Sequence, residues 1–229
     1  MELETVLFEF CNDKLRDGTG WYEWTFNWDR LPPGIRKPAG NCYEQNVALK
    51  KALSKDWKET ASVTRRHALE RFYIVDFGGV RTNSEDTLDR YFTNTDAQNI
   101  ALGSRGIASW SKALSVRDAQ QYAIYDARVA AALTALQIQS RVANPVRFPL
   151  LPSRNTLIAN RIPMLKEWAR DHRWAATPAS FYEDYLKLCR TTAERLNSEV
   201  RNLDAQVYSV EMMLFAHAEA LVWLALPNN

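Results

Sequence analysis

Cysteine is scarce in this sequence, and the three that occur, Cys11, Cys42 and Cys189, lie far apart without any C-x-x-C pair. Disulfide frameworks, zinc ribbons and cysteine-bound iron–sulfur clusters all need cysteines in pairs or at short spacing. The sequence argues against all three, and we expect free thiols. Histidine is equally rare, and His217 falls on an apolar helical stripe, so we expect it to be a packed residue. No metal or cofactor is expected.

Long apolar runs and basic leader sequences are also missing. No stretch approaches the ~20 apolar residues of a transmembrane helix. The first ten residues carry three glutamates instead of a basic start followed by an apolar run, which does not match a signal peptide. We therefore expect a cytoplasmic protein without membrane contact, and we also expect a monomer.

Several catalytic signatures are absent. The sequence has no G-x-S-x-G nucleophile elbow, no P-loop and no dinucleotide fingerprint, since Gly78-Gly79 is too little for either glycine-rich motif. No histidine has an obvious serine or cysteine companion. These absences argue against the common hydrolase, nucleotide-triphosphatase and dehydrogenase classes.

Helical periodicity dominates the chain from residue 41 onward. A length of 229 residues, 46% hydrophobic, suffices for one domain or two tightly packed lobes. Apolar spacing and caps predict an all-α fold, with Gly78-Gly79 ending the second helix and Pro163 kinking or restarting a later one. The predicted helices cover 43–55, 59–75, 84–91, 96–102, 106–114, 127–139, 155–173, 178–199 and 203–226.

The first 40 residues differ from the rest. An aromatic run, Trp21, Tyr22, Trp24, Phe26 and Trp28, precedes Leu31-Pro32-Pro33-Gly34. This pattern predicts an irregular segment pinned by aromatic packing, with alternation compatible with a short strand over 20–28. We expect an irregular, aromatic-rich segment over 1–40 and one compact helical domain over 41–229.

Charge is distributed unevenly. The net charge is +2, but residues 97–166 hold nine basic and two acidic residues, a net charge of +7 that leaves about −5 for the remainder. Such a segment indicates either a polyanion-binding face or chance clustering on a solvated surface.

An aspartate marks the start of the alanine-rich helix predicted over 127–139. Asp126 is a preferred N-cap residue, because a carboxylate accepts hydrogen bonds from the free N–H groups of the first turn, worth about 1 kcal/mol. Alanines at 127, 130, 131, 132 and 135 would let another backbone approach this helix closely.

The stretch from Arg105 to Ser140 resembles the helix-hairpin-helix DNA glycosylases, the group that includes endonuclease III and the 8-oxoguanine glycosylases. In that family a glycine-rich hairpin binds a DNA phosphate, a lysine follows in members with lyase activity, and an aspartate begins the next helix. Here Gly106 to Ser111 stands at the hairpin, Lys112 at the lysine, and Asp126 in the phrase Ala-Ile-Tyr-Asp-Ala-Arg-Val. The chain also resembles compact prokaryotic proteins with an 8-oxoguanine-glycosylase fold, some of them tied to anti-phage defence.

The resemblance implies a two-lobed helical glycosylase acting on double-stranded DNA that contains a modified base. Asp126 would stabilise the positive charge that develops on the deoxyribose, and the target base would be flipped out of the duplex. Lys112 stands only 14 residues before Asp126, closer than is usual, so we expect hydrolysis to an abasic site without lyase activity. Expected DNA contacts are Arg105, Gly106, Ser109, Trp110, Ser111 and Arg128. Expected base-pocket residues are Asp76, Arg81, Asn83, Tyr122 and Tyr125.

Two alternatives stay open. The base could be a hydroxymethylated or glucosylated cytosine of phage DNA, or an oxidised purine such as 8-oxoguanine. The polar residues after Gly78-Gly79 favour the phage-modified cytosine. In a different class, the chain could be a non-catalytic helical DNA-binding protein in which Asp126 is only a cap.

Overall fold

The chain forms ten α-helices and no strand among the residues that the computed structural model describes, 1–201 and 203–226. The expected all-α class is confirmed. A 3₁₀ turn, Trp28–Arg30, and a π-helical turn, Tyr73–Phe77, complete the regular structure. The helices are α1 Leu3–Arg16, α2 Cys42–Glu59, α3 Val63–Phe72, α4 Glu85–Thr93, α5 Asp96–Ile100, α6 Ile107–Arg117, α7 Ala127–Gln139, α8 Thr156–Asp171, α9 Phe181–Glu199 and α10 Val207–Ala225.

Polar side chains begin most of these helices by accepting a hydrogen bond from the N–H groups of the first turn. Asn41 and Glu44 form a reciprocal capping box at α2, and Thr95 and Gln98 form another at α5. Ser84, the cap expected from the sequence, accepts from the Thr87 N–H. Local sequence thus fixes where these helices start.

The first part of the amino-terminal segment is helical, although we expected an irregular chain there. Leu3–Arg16 is the α-helix α1, which packs against α9 and buries Val6, Leu7 and Cys11. The expected strand over 20–28 is also absent, because the aromatic side chains there pack as a layer on helices instead of pairing with another strand.

The chain divides into two compact units, with a boundary that differs from the one expected at residue 40. The central unit is Tyr22–Ile124. The terminal unit combines Met1–Trp21 with the described residues from Tyr125 onward.

The central unit is built around a core in which α2, α3 and α6 meet. Leu49, Leu69, Phe72 and Val116 belong to this buried cluster. The aromatic run packs on it: the Phe26 ring lies 5.2 Å from Phe77 and 5.8 Å from Phe72. Trp24, Trp28, Leu31 and Ile35 cover the same cluster. Structural packing, the role we expected for the aromatic run, is confirmed for these members.

The terminal unit is organised by α7 and α10, which share the most extensive contact between any two helices. Ala130, Ala131, Ala132 and Ala135 are fully buried, so small side chains let α10 approach closely, as the sequence predicts. Contrary to the expectation that no segment qualifies, α10 is long and apolar enough to cross a membrane by length and composition. However, 61% of its most apolar window is buried inside the structure.

Gly78-Gly79 and Pro163 were the residues expected to end or interrupt helices. The helix that contains α3 continues as the π-helical turn to Phe77 and ends at Gly78, followed by Gly79 at φ 65°, close to where the sequence predicts. Pro163 does not restart a helix, since α8 runs through it from Thr156 to Asp171.

Candidate functional site

The turn between α5 and α6 is a tight hairpin built on two glycines. Gly103 and Gly106 have φ values of 59° and 70°, in the left-handed region that residues with a Cβ rarely adopt. A Cβ on Gly106 would also overlap the Tyr91 hydroxyl. The hairpin is therefore 101–106. The expected place, Gly106 to Ser111, is wrong, because residues from Ile107 onward are already helical.

The hairpin presents the start of α6 without a side-chain cap. Gly106 is the N-cap residue, so no side chain there accepts from the first-turn N–H groups. The Trp110 indole donates to the Arg105 carbonyl at 3.1 Å and ties the hairpin back to its helix. The Arg105 side chain is exposed at this corner. A helix N-terminus with a cation beside it has the chemistry that attracts a phosphate.

Arg117, the last residue of α6, fastens the opposite end of the helix-hairpin-helix element. Its guanidinium donates to Glu70 at 2.9 Å, to Asp96 at 2.8 Å and to the carbonyls of Tyr91 and Asn94 at 2.7 and 2.8 Å. The side chain is only 7% exposed, and Glu70 is 1% exposed. One residue thus holds the end of α4 and the start of α5 against α6.

Glu70 is the most perturbed acid of this cluster. Burial raises the pKa of Glu70 to about 7, while the Arg117 guanidinium and the Trp57 indole, which donates at 2.8 Å, oppose the shift. The pKa of Arg117 is raised by Glu70 and Asp96, although its burial acts in the other direction. Burial disfavours the charged form of Glu70, whereas its ion pair with Arg117 favours it. The cluster lies within the packed core.

Lys112 is buried rather than presented. The residue is 4% exposed, and its Nζ donates to the Ala108 carbonyl one turn back on α6, at 2.6 Å. Its methylene chain crosses Gly78, where a Cβ would overlap it. The close approach of Lys112 gives Gly78 a packing role in addition to ending a helix. In this arrangement the amine does not reach solvent or a DNA phosphate.

Three of the residues expected to touch DNA are also buried. Trp110 and Ser111 have no exposed surface, and Ser111 donates to the Ile107 carbonyl at 2.6 Å. Ser109 is 2% exposed and accepts from Asn83 at 2.8 Å. Because α6 packs on its neighbours along nearly its whole length, its interior residues serve the core. In this element, DNA contact stays a prediction only for Arg105 and Gly106.

Asp126 caps α7 with one oxygen and leaves the other available. Its Oδ1 accepts from the N–H groups of Arg128 at 2.9 Å and Val129 at 3.1 Å. No hydrogen bond to Oδ2 occurs within the part of the chain that the structure describes, and the residue is half-buried. The predicted cap is confirmed, and Oδ2 can still accept a hydrogen bond or face a positive charge.

Arg128 is engaged inside the terminal unit. It pairs with Glu219 of α10 at 2.5 Å, and its guanidinium lies 5.0 Å from the Phe215 ring centre. Asn155 donates to the same Glu219 oxygen at 2.8 Å. The charge of Arg128 is thus compensated, which removes the main reason for expecting it to bind a phosphate.

The residues expected to form a base pocket are divided. Asp76 pairs with Arg30 at 2.7 Å, and Arg81 is exposed. Asn83 is held by Ser109. The structure therefore brings Asn83 to the start of α6, whereas Asp76 faces the aromatic segment and Arg81 faces solvent.

The two tyrosines have structural partners. Tyr122 donates to Asp96 at 3.0 Å, and burial together with this hydrogen bond raises the pKa of Tyr122 to about 12. Tyr125 is fully buried and donates to the Pro149 carbonyl at 3.0 Å, with its ring 5.3 Å from Tyr185. A base-pocket role for Tyr125 is wrong for this arrangement, because core packing leaves its ring no exposed face.

The basic segment loses part of its free charge in the fold. Lys112 and Arg117 are buried, and Arg128 is paired. Four of the nine basic side chains are exposed, Arg105 in the central unit and three in the terminal unit. Those three are Arg141, Arg154 and Lys166. The net charge of the segment therefore overstates what a polyanion would meet.

The cysteines and histidines do not form a metal site or a catalytic group in the part of the chain that the structure describes. The three cysteines are free thiols, as expected. The His172 ring stacks on Trp168 at 4.1 Å, and the His67 ring lies 5.2 Å from Phe92. Across residues 1–201 and 203–226, no group of three His, Cys, Asp or Glu side chains is arranged to hold a metal ion.

Sequence reasoning missed Gly103 and Arg117. The spacing Gly103-Ser104-Arg105-Gly106 was a usable signal for a hairpin with two left-handed residues. Arg117 gave no signal, because its acidic partners lie 47 and 21 residues away along the chain.

Comparisons with known proteins found no relative: no family model, no curated protein and no solved structure matches the chain.

Proposed function

We propose that this chain is a DNA glycosylase that flips a modified base out of double-stranded DNA and hydrolyses its N-glycosidic bond. The observation that carries the proposal is the glycine hairpin between α5 and α6, with two left-handed residues, an uncapped helix start and an exposed arginine. This arrangement agrees with the resemblance to the helix-hairpin-helix glycosylases, and the two-lobed glycosylase-like fold is part of the same proposal.

The hairpin supplies DNA affinity in this proposal. The helix dipole at the start of α6 attracts a phosphate, and Arg105 adds a charge-assisted contact. Such contacts fix the position of the protein on the duplex but carry no base specificity. Flipping a nucleotide costs a few kcal/mol, which phosphate contacts help to offset.

Asp126 supplies the chemistry. Cleavage of the glycosidic bond builds positive charge on the sugar, and a carboxylate near the ring carbon stabilises that charge or orients the attacking water. The free Oδ2 of Asp126 supports this role, while Oδ1 and the first turn of α7 hold the group in place.

Lys112 takes no covalent part. Attack on the sugar needs a neutral, accessible amine, whereas Lys112 is buried and bonded to its own helix. We therefore propose a monofunctional enzyme that leaves an abasic site. Borohydride treatment of the reaction should trap no protein–DNA Schiff base.

For the substrate, we propose a phage-modified cytosine over 8-oxoguanine. The proposal rests on the resemblance to defence-linked proteins and on the exposed polar residues Arg81 and Thr82 after Gly79. Release of base from glucosylated-cytosine phage DNA should exceed release from an 8-oxoguanine duplex. Activity on the oxidised purine alone would reverse the assignment.

The deciding experiment measures abasic sites formed by the purified protein in a panel of modified duplexes. Asp126→Asn keeps an oxygen that caps α7 but removes the charge, so fold and DNA affinity should persist while base release falls by orders of magnitude. Asp126→Ala is the matched control, because it should also lose about 1 kcal/mol of folding free energy. Base release by Asp126→Asn at the parental rate would reduce Asp126 to a cap.

A non-catalytic DNA-binding protein is the second candidate. The observation in its favour is that helix capping by Oδ1 alone accounts for an aspartate at position 126. This candidate predicts salt-dependent DNA binding with no abasic sites in any duplex of the panel.

A further inference from the structure

A cavity of about 610 Å³ opens within the terminal unit. Its walls come from α8, from Thr134 of α7, from residues 147–150 and from Trp174 and Thr177. The volume lies in the range of small-molecule sites, about 300 to 1,000 Å³. None of the residues expected from the sequence to bind DNA lines this cavity.

The apolar part of the cavity wall is well packed. Phe148 and Trp174 are 6% and 7% exposed and lie in its wall with Pro149, Leu150 and Pro163. The Arg147 N–H donates to the Ala175 carbonyl at 3.2 Å, and the Ala175 N–H donates back to Pro145 at 3.3 Å. These bonds form a short parallel bridge beside the aromatic residues. The cavity is thus preformed, with flat apolar side chains in its wall.

Two cations of the cavity have no compensating acid. The Arg147 Nη2 donates to the Ala169 carbonyl at 3.2 Å, but its buried Nε has no partner among the described residues. Lys166 is exposed and makes no ion pair within the same part of the chain. Arg170, in contrast, is held by Glu167 and Asp171 at 3.2 and 3.0 Å. An anionic ligand in the cavity would compensate the positive charges of Arg147 and Lys166.

We propose that this cavity binds a nucleoside monophosphate unit. The phosphate would pair with Arg147 and Lys166, and the base would pack against the aromatic wall of Phe148 and Trp174. The volume exceeds what a lone phosphate needs. Two cations without acidic partners match a doubly charged phosphate better than an uncharged nucleoside. The unit is either a free nucleotide or the phosphorylated end of a DNA strand.

Isothermal titration with dAMP in low-salt buffer tests the proposal. The protein should bind dAMP at least tenfold more tightly than deoxyadenosine, because only dAMP has a phosphate that can form charge-assisted hydrogen bonds with the two cations. Arg147→Met should weaken binding about tenfold, and Lys166→Ala about threefold. Lys187→Ala, which removes an exposed lysine of α9 outside the cavity, should change nothing.

Three results would overturn the site: no binding of millimolar dAMP, equal affinity for deoxyadenosine, or parental affinity in Lys166→Ala and Arg147→Met. Lys166 is exposed, so its variant should fold even if Arg147→Met does not. A 5′-phosphorylated single-stranded oligonucleotide separates the two sources, since its competition with dAMP assigns a strand end and its failure to compete assigns the free nucleotide. Asp126→Asn should bind dAMP like the parent, which makes this test independent of base excision.

Discussion

His217 lies on α10 with its ring between two aromatic side chains, 5.6 Å from Phe10 and 5.5 Å from Trp21. Its Nε2 is buried and has no hydrogen-bond partner within the described residues. Burial lowers the pKa of His217, nearby Lys14 lowers it further, and Asp17 opposes them. The expected packed histidine is confirmed, and its neutral form is the one that the fold accommodates.

This lowered pKa gives a pH-dependent stability. A group whose pKa is depressed in the folded state contributes stability above its unfolded pKa, about 6.5, and loses it as the pH falls. Relative to His217→Phe, which keeps a ring of similar size, the parent should therefore lose free energy of unfolding between pH 7 and pH 5. Urea unfolding at several pH values measures the difference, and a difference that stays constant with pH would contradict the assignment.

At the scale of single elements, the hairpin between α5 and α6 depends on its glycines. Gly103→Ala meets no neighbour within 4 Å, so it should cost only the left-handed strain of about 1 to 2 kcal/mol. Gly106→Ala carries the same strain and also overlaps the Tyr91 hydroxyl, so it should cost clearly more. Denaturant unfolding measures both variants.

The double variant Gly106→Ala, Tyr91→Phe supplies the control for this pair. Removal of the hydroxyl should bring the cost of Gly106→Ala back towards that of Gly103→Ala. Equal costs for the two single variants would show that the Tyr91 contact does not constrain the hairpin.

The other end of the same element depends on Arg117. Arg117→Met leaves Glu70 buried without its cation and frees the carbonyls of Tyr91, Phe92 and Asn94. This should destabilise the protein by about 3 to 5 kcal/mol. Adding Glu70→Leu removes the stranded acid and should recover part of the loss. Unfolding free energies of the parent and three variants give the coupling directly, and additive effects would argue against a coupled pair.

For the whole molecule, the proposed DNA binding makes a prediction about salt. Each phosphate neutralised by a cation contributes about 0.9 to the slope of log K against log salt concentration. Arg105→Gln should lower that slope by about one, because Arg105 is exposed at the hairpin. Arg128→Gln is the matched control and should leave the slope unchanged, since Glu219 already compensates its charge.

Titrations of a labelled duplex at four salt concentrations measure these slopes. A slope near zero for the parent would remove the support that charge gives to DNA binding. A reduced slope in Arg128→Gln together with an unchanged one in Arg105→Gln would place the phosphate contact on α7 instead of the hairpin.

Local signals in the sequence predicted much of the secondary structure. Helix α7, its Asp126 cap, the Ser84 cap and the stop at Gly78-Gly79 follow from residues within a few positions of one another. Helix α1 was predictable too, because Leu3, Val6, Leu7 and Phe10 have helical spacing. The irregular structure expected for the aromatic run was wrongly extended to these residues.

The sequence by itself therefore determined the all-α class, most helix boundaries and the cap at Asp126, since each depends on hydrogen bonds and side-chain spacing within about one turn. Tertiary structure decided which of the candidate residues are accessible. Lys112 and Tyr125 became buried, and Arg128 gained an acidic partner 91 residues away. Burial and pairing over such separations depend on how helices pack, and no local pattern encodes them.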